Sequence, residues 1–283
     1  MTFVLAIALA IGLAYLMGKP TQFLTHRLNL LSVAHAVPVA VGAYSYSRLA
    51  VMNLWPWPAA LAGILAGGVA GGLLVLASAR LSRSDYSLFS FCVQLVATSA
   101  ALNIRSFTGG ALGITGVPSL QLPWGQDRLS SAVWLVIPVA CAVAFGYVKF
   151  SGRPFAVCGS VLARSEELAS TLGLPTARLR LCYGFGHGCI LGCAGVLTAG
   201  YLSITDPSQF GVALSVVILV ISMFGVSRWR GPLVGAILLA GVPELVRLFG
   251  WSSEQAAALQ LVAAGGIGVV FSFFVFGARG SDL

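Results

Sequence analysis

The sequence predicts an all-α integral membrane protein, a polytopic bundle of about 8–10 transmembrane helices. Hydrophobic residues make up 58% of its 283 residues and charged residues only 8%. Soluble domains carry roughly 25% charged residues, so this chain has too few to cover a surface that faces water. Apolar runs close to 20 residues long recur along the chain, and they lack the apolar/polar alternation of transmembrane β-strands.

Nine apolar segments can be drawn as candidate helices, and the first and seventh are short enough to be tilted or only partly spanning. The first also lacks the basic start and cleavage site of a signal peptide, so we expect it to be retained. Pro38 lies inside the second segment and should kink or break it, because proline lacks an N–H group and clashes with the preceding turn. The segments are 2–17, 30–50, 57–79, 87–104, 131–149, 181–202, 209–226, 231–249 and 255–277.

Basic residues are distributed unevenly between the loops. The odd-numbered loops and the C-terminus hold twelve of the sixteen Lys and Arg residues, and the even-numbered loops hold four. The positive-inside rule therefore predicts an external N-terminus and a cytoplasmic C-terminus. The net charge of +8 is spread over many loops and forms no single basic face, so nucleic acid is not an expected partner.

One hydrophilic stretch, at about 152–180, divides the single domain of residues 1–283, and its loop number places it in the cytoplasm. We call this stretch the arm. Leu168 and Leu172 are four residues apart and are expected to share a helix face with Arg164. A short amphipathic helix of this kind suits a groove on a soluble domain. The alternative is a connector that lies on the membrane surface.

The arm also carries signals for where its helix begins and ends. Ser160 or Ser165 is expected to be the N-cap, with Glu166 and Glu167 in the first turn, where carboxylates oppose the positive end of the helix dipole. Gly173 should end the helix. These residues, with Arg164, Leu168 and Leu172, are the candidates for contact with a soluble partner.

Two segments carry glycine at every fourth position, a spacing that lets helix backbones approach closely in lipid. The sequence therefore predicts a tightly packed bundle. The two sets are Gly63, Gly67 and Gly71, and Gly184, Gly188 and Gly192.

The connection from Asn103 to Ser130 is long and rich in Gly, Pro, Ser and Thr, so it is expected to be irregular and not helical. It is an even-numbered loop, so the positive-inside rule predicts that it lies outside the cytoplasm. Long ordered loops usually serve a purpose. This one is interpreted either as an outer gate or docking surface, or as a simple connector.

A few polar residues lie within the apolar segments. His35 stands near Pro38, and it is either a hydrogen-bonded interior residue or part of a solute pathway. His187 is flanked by glycine and is interpreted as a packing residue. Glu244 and Arg247 are three residues apart and should pair on one helix face. That pair is either structural or part of an outer gate or docking contact.

The chain carries no motif for nucleotide hydrolysis or metal binding. A P-loop requires GxxxxGK[ST], and the single Gly-Lys pair, Gly18-Lys19, is followed by Pro20. Its three histidines are scattered and its cysteines form no CxxC pair. We therefore expect no enzymatic activity, no metal site and no cofactor in this chain, and any energy from ATP must come from a partner.

Six stretches, taken in order, resemble the permease subunits of branched-chain amino acid ATP-binding-cassette importers, specifically the M-type member of the usual pair. The similarity runs from about Leu30 to Gly250. The stretches are LLSVAHAVPVAVGAYSYSRLA at 30–50, RLSRSDYSLFS at 80–90, SFTGGALGITGVPS at 106–119, the arm, AGVLTAGYLSITDPSQF at 194–210 and GVSRWRGPLVGAILLAGVPELVRLFG at 225–250.

The resemblance implies the ABC importer permease fold, a place in the bacterial cytoplasmic membrane and several partners. These are a second permease subunit, cytoplasmic ATPase subunits that bind ATP and Mg²⁺, and an extracytoplasmic solute-binding protein. The solute would be a branched-chain or other neutral amino acid, with urea, amides and small aromatic acids as alternatives in the same family. The resemblance also makes Arg164, Glu166, Glu167, Leu168, Leu172 and Gly173 the candidates for coupling to the ATPase. His35, Pro38, Thr108, Gly109 and Gly110 are the candidates for the translocation path.

Two rival functions remain at this stage. An ATP-independent channel or secondary transporter would show paired broken helices in inverted repeats, and no second copy of the Pro38 break is evident. A membrane-embedded enzyme would need a nucleophile with a base, or a set of metal ligands. Neither set of residues is present in the sequence.

Overall fold

The computed structural model describes residues 2–121, 127–150, 154–224, 230–247 and 250–279, and this part of the chain is a helical bundle. Five of its helices, α1, α3, α4, α6 and α9, are long and apolar enough to cross a membrane. The helices are α1 Thr2–Arg27, α2 Ala36–Val51, α3 Pro56–Ala77, α4 Arg83–Asn103, α5 Arg105–Thr108, α6 Arg128–Phe150, α7 Pro154–Arg164, α8 Glu166–Thr171, α9 Thr176–Leu202, α10 Val212–Met223, α11 Arg230–Ala236, α12 Val242–Arg247 and α13 Ser253–Arg279.

Each of the nine apolar segments coincides with helix, but the expected length of the first was wrong. Helix α1 is 26 residues long and continues ten residues beyond position 17. Its polar second half stays helical and buried because its side chains bond locally. The Lys19 Nζ donates to Gln22 Oε1 over 2.8 Å, and the Thr21 hydroxyl donates to the Met17 carbonyl over 2.9 Å.

The effect expected of Pro38 also differs in detail. The helix α2 begins only at Ala36, two residues before the proline. Pro38 then lies in the first turn, where its missing N–H group would have had no partner within the helix. The second segment is therefore a broken element, with residues 28–35 outside the helix, and not a kinked helix.

A core of three helices, α2, α3 and α9, is held together by glycine. A Cβ atom added to Gly71 would lie 2.6 Å from the Cα of Gly188, and one added to Gly42 would lie 2.6 Å from the Cα of Gly192. Real side chains do not approach backbone so closely, so only glycine permits this packing. The expectation of glycine faces on α3 and α9 is confirmed, and Gly42 adds a third helix to the contact.

The seventh and eighth segments are interrupted helices. Helix α10 has 12 residues and follows a short 3₁₀ turn, Pro207–Phe210. In the eighth segment, a π-helical turn, Ile237–Gly241, separates α11 from α12. There the Val242 N–H bonds the Ile237 carbonyl. This wide turn lies directly before Pro243, whose nitrogen cannot donate to a helix carbonyl.

The long loop is more ordered than its composition predicts. Within its described part it contains the helical turn α5, a 3₁₀ turn at Gly110–Leu112 and the strand β1, Ile114–Thr115. Strand β1 pairs antiparallel with β2, Ile204–Thr205, the two residues that directly follow Ser203 after α9. Residues 122–126, the rest of its irregular portion, lie outside the described residues.

Candidate functional site

The break before α2 is the first feature with functional character. A non-helical stretch inside a membrane protein must find partners for its backbone N–H groups, because lipid offers none. Serine hydroxyls supply them here. Ser90 accepts from the Val33 N–H over 2.9 Å, and Ser215 accepts from the Ala36 N–H over 2.8 Å. The break is therefore held by side chains from α4 and α10.

A glutamine continues this polar network between the helices. The Ser215 hydroxyl donates to Gln94 Oε1 over 2.9 Å, and Gln94 Nε2 donates to the Phe210 carbonyl over 3.0 Å. Gln94 is 1% exposed. Neither residue was predicted as functional. The one available signal was the Gln94 amide in the middle of the candidate membrane segment 87–104.

His35 lies at the end of the break, directly before α2, and is buried with 1% exposure. Its ring meets the ring of His187 from α9 edge-on, with centroids 5.4 Å apart. His187 Nε2 lies 3.3 Å from the Thr21 hydroxyl of α1. The two imidazoles thus join α1, α2 and α9 in the interior of the bundle.

Both imidazoles keep one nitrogen without a hydrogen-bond partner among the described residues, Nε2 of His35 and Nδ1 of His187. His187 also lines a cavity of about 320 Å³ between α1, α6 and α9. Buried nitrogens without partners cost free energy, so this arrangement suits residues that meet water or solute in another state. The arrangement leaves His35 as a candidate for the translocation path.

Thr108, Gly109 and Gly110 form a tight turn in the long loop between α4 and α6. Gly109 and Gly110 have φ angles of 79° and 67°, a region that favours glycine. The Thr108 hydroxyl lies 2.7 Å from the Ala101 carbonyl and accepts from the Gly110 N–H over 3.1 Å. The turn is therefore fixed to the end of α4.

The structure does not bring this turn next to His35. The region that follows it is fastened to the far end of α2, where the Tyr46 hydroxyl donates to the Pro118 carbonyl over 2.7 Å and the Ser47 and Thr205 hydroxyls lie 2.5 Å apart. His35 stands before the opposite end of α2, twelve residues from Ser47, or roughly 18 Å along a helix. The candidates for the path thus occupy two depths.

The arm is built of two helices, α7 and α8, which corrects the expectation of one. Ser165 is extended between them, with φ of −154°, and its hydroxyl accepts from the Leu168 N–H over 3.1 Å. It is the N-cap of α8. Because that cap ends α7, Arg164 lies on a different helix from Leu168 and does not share a face with it. The arm's first residues, 152 and 153, lie outside the described residues.

The arm ends earlier in the sequence than expected. Gly173, with φ of 73°, follows α8 as predicted for a helix end. Helix α9 begins at Thr176, so the last part of the interval 152–180 belongs to a membrane-crossing helix. Arg180 is buried there, and its Nη1 donates to the Ser78 hydroxyl over 2.5 Å.

The two faces of the arm differ in exposure. Leu168 and Leu172 are 50% and 63% exposed, and Glu167 beside them is exposed as well. Leu162 and Ala169 point inward and belong to one buried cluster with Leu28 and Leu30. Leu28 and Leu30 lie in the break itself, so the inner face of the arm rests on the segment that leads to His35.

Glu244 and Arg247 form the ion pair that their spacing predicts. Arg247 Nη1 lies 3.0 Å from Glu244 Oε1 and 3.2 Å from Oε2. Both side chains are partly exposed, at 29% for Glu244 and 45% for Arg247. They lie beside a groove formed by α1, α9 and α12.

Comparison with known families decides the broad identity of this bundle. The family described as "Branched-chain amino acid transport system / permease component" matches residues 3–272. The chain belongs to this family. No curated protein and no solved structure gave a significant match to it.

Membership accounts for the general character of the permease. Permeases of this family are generally non-catalytic transport subunits that work with ATPase and solute-binding partners. A multi-pass membrane protein with five long apolar helices in its described part fits that role. The described residues contain no group of three or more His, Cys, Asp or Glu side chains that could hold a metal ion.

Proposed function

We propose that the permease is the M-type subunit of an ATP-driven importer in the bacterial cytoplasmic membrane. With a second permease subunit it would form the path for a branched-chain or other neutral amino acid. Cytoplasmic ATPase subunits, with ATP and Mg²⁺, would supply the energy, and an extracytoplasmic binding protein would deliver the solute. Family membership supports the transport role.

The observation that carries the proposal is the position of the arm against the break. Its outer face presents Leu168 and Leu172, which suits insertion into a groove on a soluble ATPase. Its inner face packs on Leu28 and Leu30. A displacement of the arm would therefore reach the break through side chains already in contact, and dense packing favours discrete rearrangements over gradual ones.

In this mechanism the break is the moving part of the path. His35 and Pro38 lie at the junction between the non-helical break and α2, in the interior of the bundle. Thr108, Gly109 and Gly110 would lie at the outer end of the path. If the path opened at the depth of His35 while it stayed closed at the turn of Thr108, and the reverse, the solute site would be accessible from each side in turn. The permease itself performs no chemical step on the solute.

The test is reconstitution in proteoliposomes with and without the ATPase encoded beside this permease. We expect uptake only with the ATPase, ATP and Mg²⁺ together. Replacing Glu166→Ala with Glu167→Ala should leave membrane insertion unchanged and weaken co-purification of the ATPase. Uphill uptake by the permease alone would show a secondary transporter and would contradict the proposal.

The solute class is tested separately on the binding protein. A thermal-shift screen of that protein against neutral amino acids, urea, amides and small aromatic acids should show the largest stabilisation with a branched-chain or neutral amino acid. A response confined to urea, amides or aromatic acids would reject the proposed solute class and leave the ATP-driven mechanism standing.

A further inference from the structure

A groove of about 560 Å³ opens at the end of the bundle where α1 begins and where α9 and α12 end. Leu9 and Leu13 of α1 line it along its length, and Tyr201, Glu244 and Arg247 surround one end. We propose that this groove binds one phospholipid with a zwitterionic headgroup, with an acyl chain along α1 and the headgroup at Glu244 and Arg247.

The length of the groove argues for an acyl chain. Its wall on α1 extends from Phe3 to Leu13, and ten residues of helix rise roughly 15 Å. The hydrocarbon core of a bilayer is about 30 Å thick, so the groove is about as long as one leaflet is deep. The side chain of a free amino acid would fill only a small part of that length.

Small residues keep the groove open. Ala6 and Ala10 line it at the same face of α1 as Phe3 and Leu13, at the three- and four-residue spacing of one helix stripe. Leu9 is buried at 2% exposure beside them. An apolar channel with an alanine wall fits a linear hydrocarbon chain.

The charges at the surface end match a zwitterion. Glu244 and Arg247 carry opposite charges 3.0 Å apart and together are neutral. The guanidinium group has five N–H donors, and the bonds to Glu244 involve Nη1, so other donors can reach a lipid phosphate. The Glu244 carboxylate can accept from a headgroup ammonium. Trp251 lines the same end, the depth at which aromatic residues usually meet headgroups.

The π-helical turn supplies a reason for this placement. It lies directly before α12, and π-turns inside helices frequently occur at functional sites. The extra residue in this turn rotates the following helix relative to the preceding one. Glu244 and Arg247, two and five residues after Val242, owe their position beside α1 to that rotation.

The experiment uses native mass spectrometry of the purified full-length chain in mild detergent. The chain is offered equal amounts of phosphatidylethanolamine and phosphatidylglycerol with identical acyl chains. We expect one bound phosphatidylethanolamine, retained about tenfold over the anionic lipid. Ala10→Leu should lower its retention about tenfold by filling the groove. Ala8→Leu, on the opposite side of α1, should not change it.

A second variant keeps the test valid if Ala10→Leu does not fold. Glu244→Gln removes the negative charge and leaves Arg247, so the retained lipid should change from zwitterionic to anionic. Three results would overturn the proposal: preference of the unmodified chain for the anionic lipid, equal retention by the Ala10 and Ala8 variants, or displacement of the lipid by free leucine. The last would assign the groove to solute.

Discussion

Ser215 illustrates how single residues hold the broken segment in place. Its hydroxyl accepts from the Ala36 N–H and donates to Gln94 Oε1. It therefore joins α10 to the start of α2 and to α4. Losing this hydroxyl would leave two buried polar groups without partners, and each such group costs about 1–3 kcal/mol.

Replacing Ser215→Ala should lower the unfolding free energy of the chain by about 2 kcal/mol or more for that reason. The measurement is thermal or denaturant unfolding in detergent. Ser222→Ala is the matched control, because Ser222 is a buried serine on the same helix whose hydroxyl bonds only the Leu219 carbonyl one turn away. Equal losses for the two variants would contradict the role given to Ser215.

Glycine residues at the centre of the bundle let the backbones of α3 and α9 touch. A Cβ at Gly188 would meet the backbone of Gly67 and Gly71, whereas one at Gly186 would meet nothing within 4 Å. We expect Gly188→Ala to destabilise the chain by about 1–3 kcal/mol, since overpacking forces backbone shifts. Gly186→Ala should be neutral or slightly stabilising. A melting temperature that fell equally in both variants would exclude the three-helix packing.

Residues of this kind differ in how far sequence can predict them. The four-residue spacing of Gly184, Gly188 and Gly192 is visible in the sequence, so the close packing was predicted. The partnership of Gln94 and Ser215 joins residues 121 positions apart. No local pattern encodes such a contact, and it became visible only when the two helices were placed side by side.

At the scale of elements, the Ser165 N-cap divides the arm into two helices where one was predicted. The spacing of Arg164, Leu168 and Leu172 predicted one amphipathic helix. The Ser165 cap divides that stretch into α7 and α8 instead. The cap residue was among the two predicted, but its consequence for Arg164 was not, because a serine cap can also begin a helix without ending another.

The two faces of the arm should respond differently to substitution. Leu168→Ser with Leu172→Ser should leave the stability of the permease unchanged and weaken ATPase binding, because both side chains are exposed. Leu162→Ala removes a buried side chain and should cost about 2–4 kcal/mol of stability. Melting temperatures and co-purification of the ATPase measure the two effects. An unchanged ATPase yield from the double serine variant would contradict the assignment of the outer face.

Element boundaries were the weaker part of the sequence prediction. Each of the nine apolar segments contains helix in its described part, yet α1 is ten residues longer than its apolar run and α2 begins six residues later than its own. Apolar periodicity does not detect the buried Lys19–Gln22 bond that extends α1. Nor does it show that serines from other helices can hold an open backbone before α2.

At the scale of the whole molecule, the distribution of charge predicts an orientation in the membrane. Twelve basic residues are assigned to the odd-numbered loops and the C-terminus and four to the even-numbered loops, and the arm falls on the richer side. The composition and the apolar segments were enough to predict a helical membrane protein, and the resemblance of its motifs predicted a permease. The contact between the arm and the break required the folded structure.

The proposed mechanism depends most on the side of the membrane that the arm occupies. The most direct measurement is labelling of a single cysteine at Thr171, an exposed position of α8, in a chain without other cysteines, using a reagent that does not cross membranes. We expect labelling in inverted membrane vesicles and none in intact cells. Labelling in intact cells would place the arm outside, beyond the reach of a cytoplasmic ATPase, and would contradict the proposed mechanism.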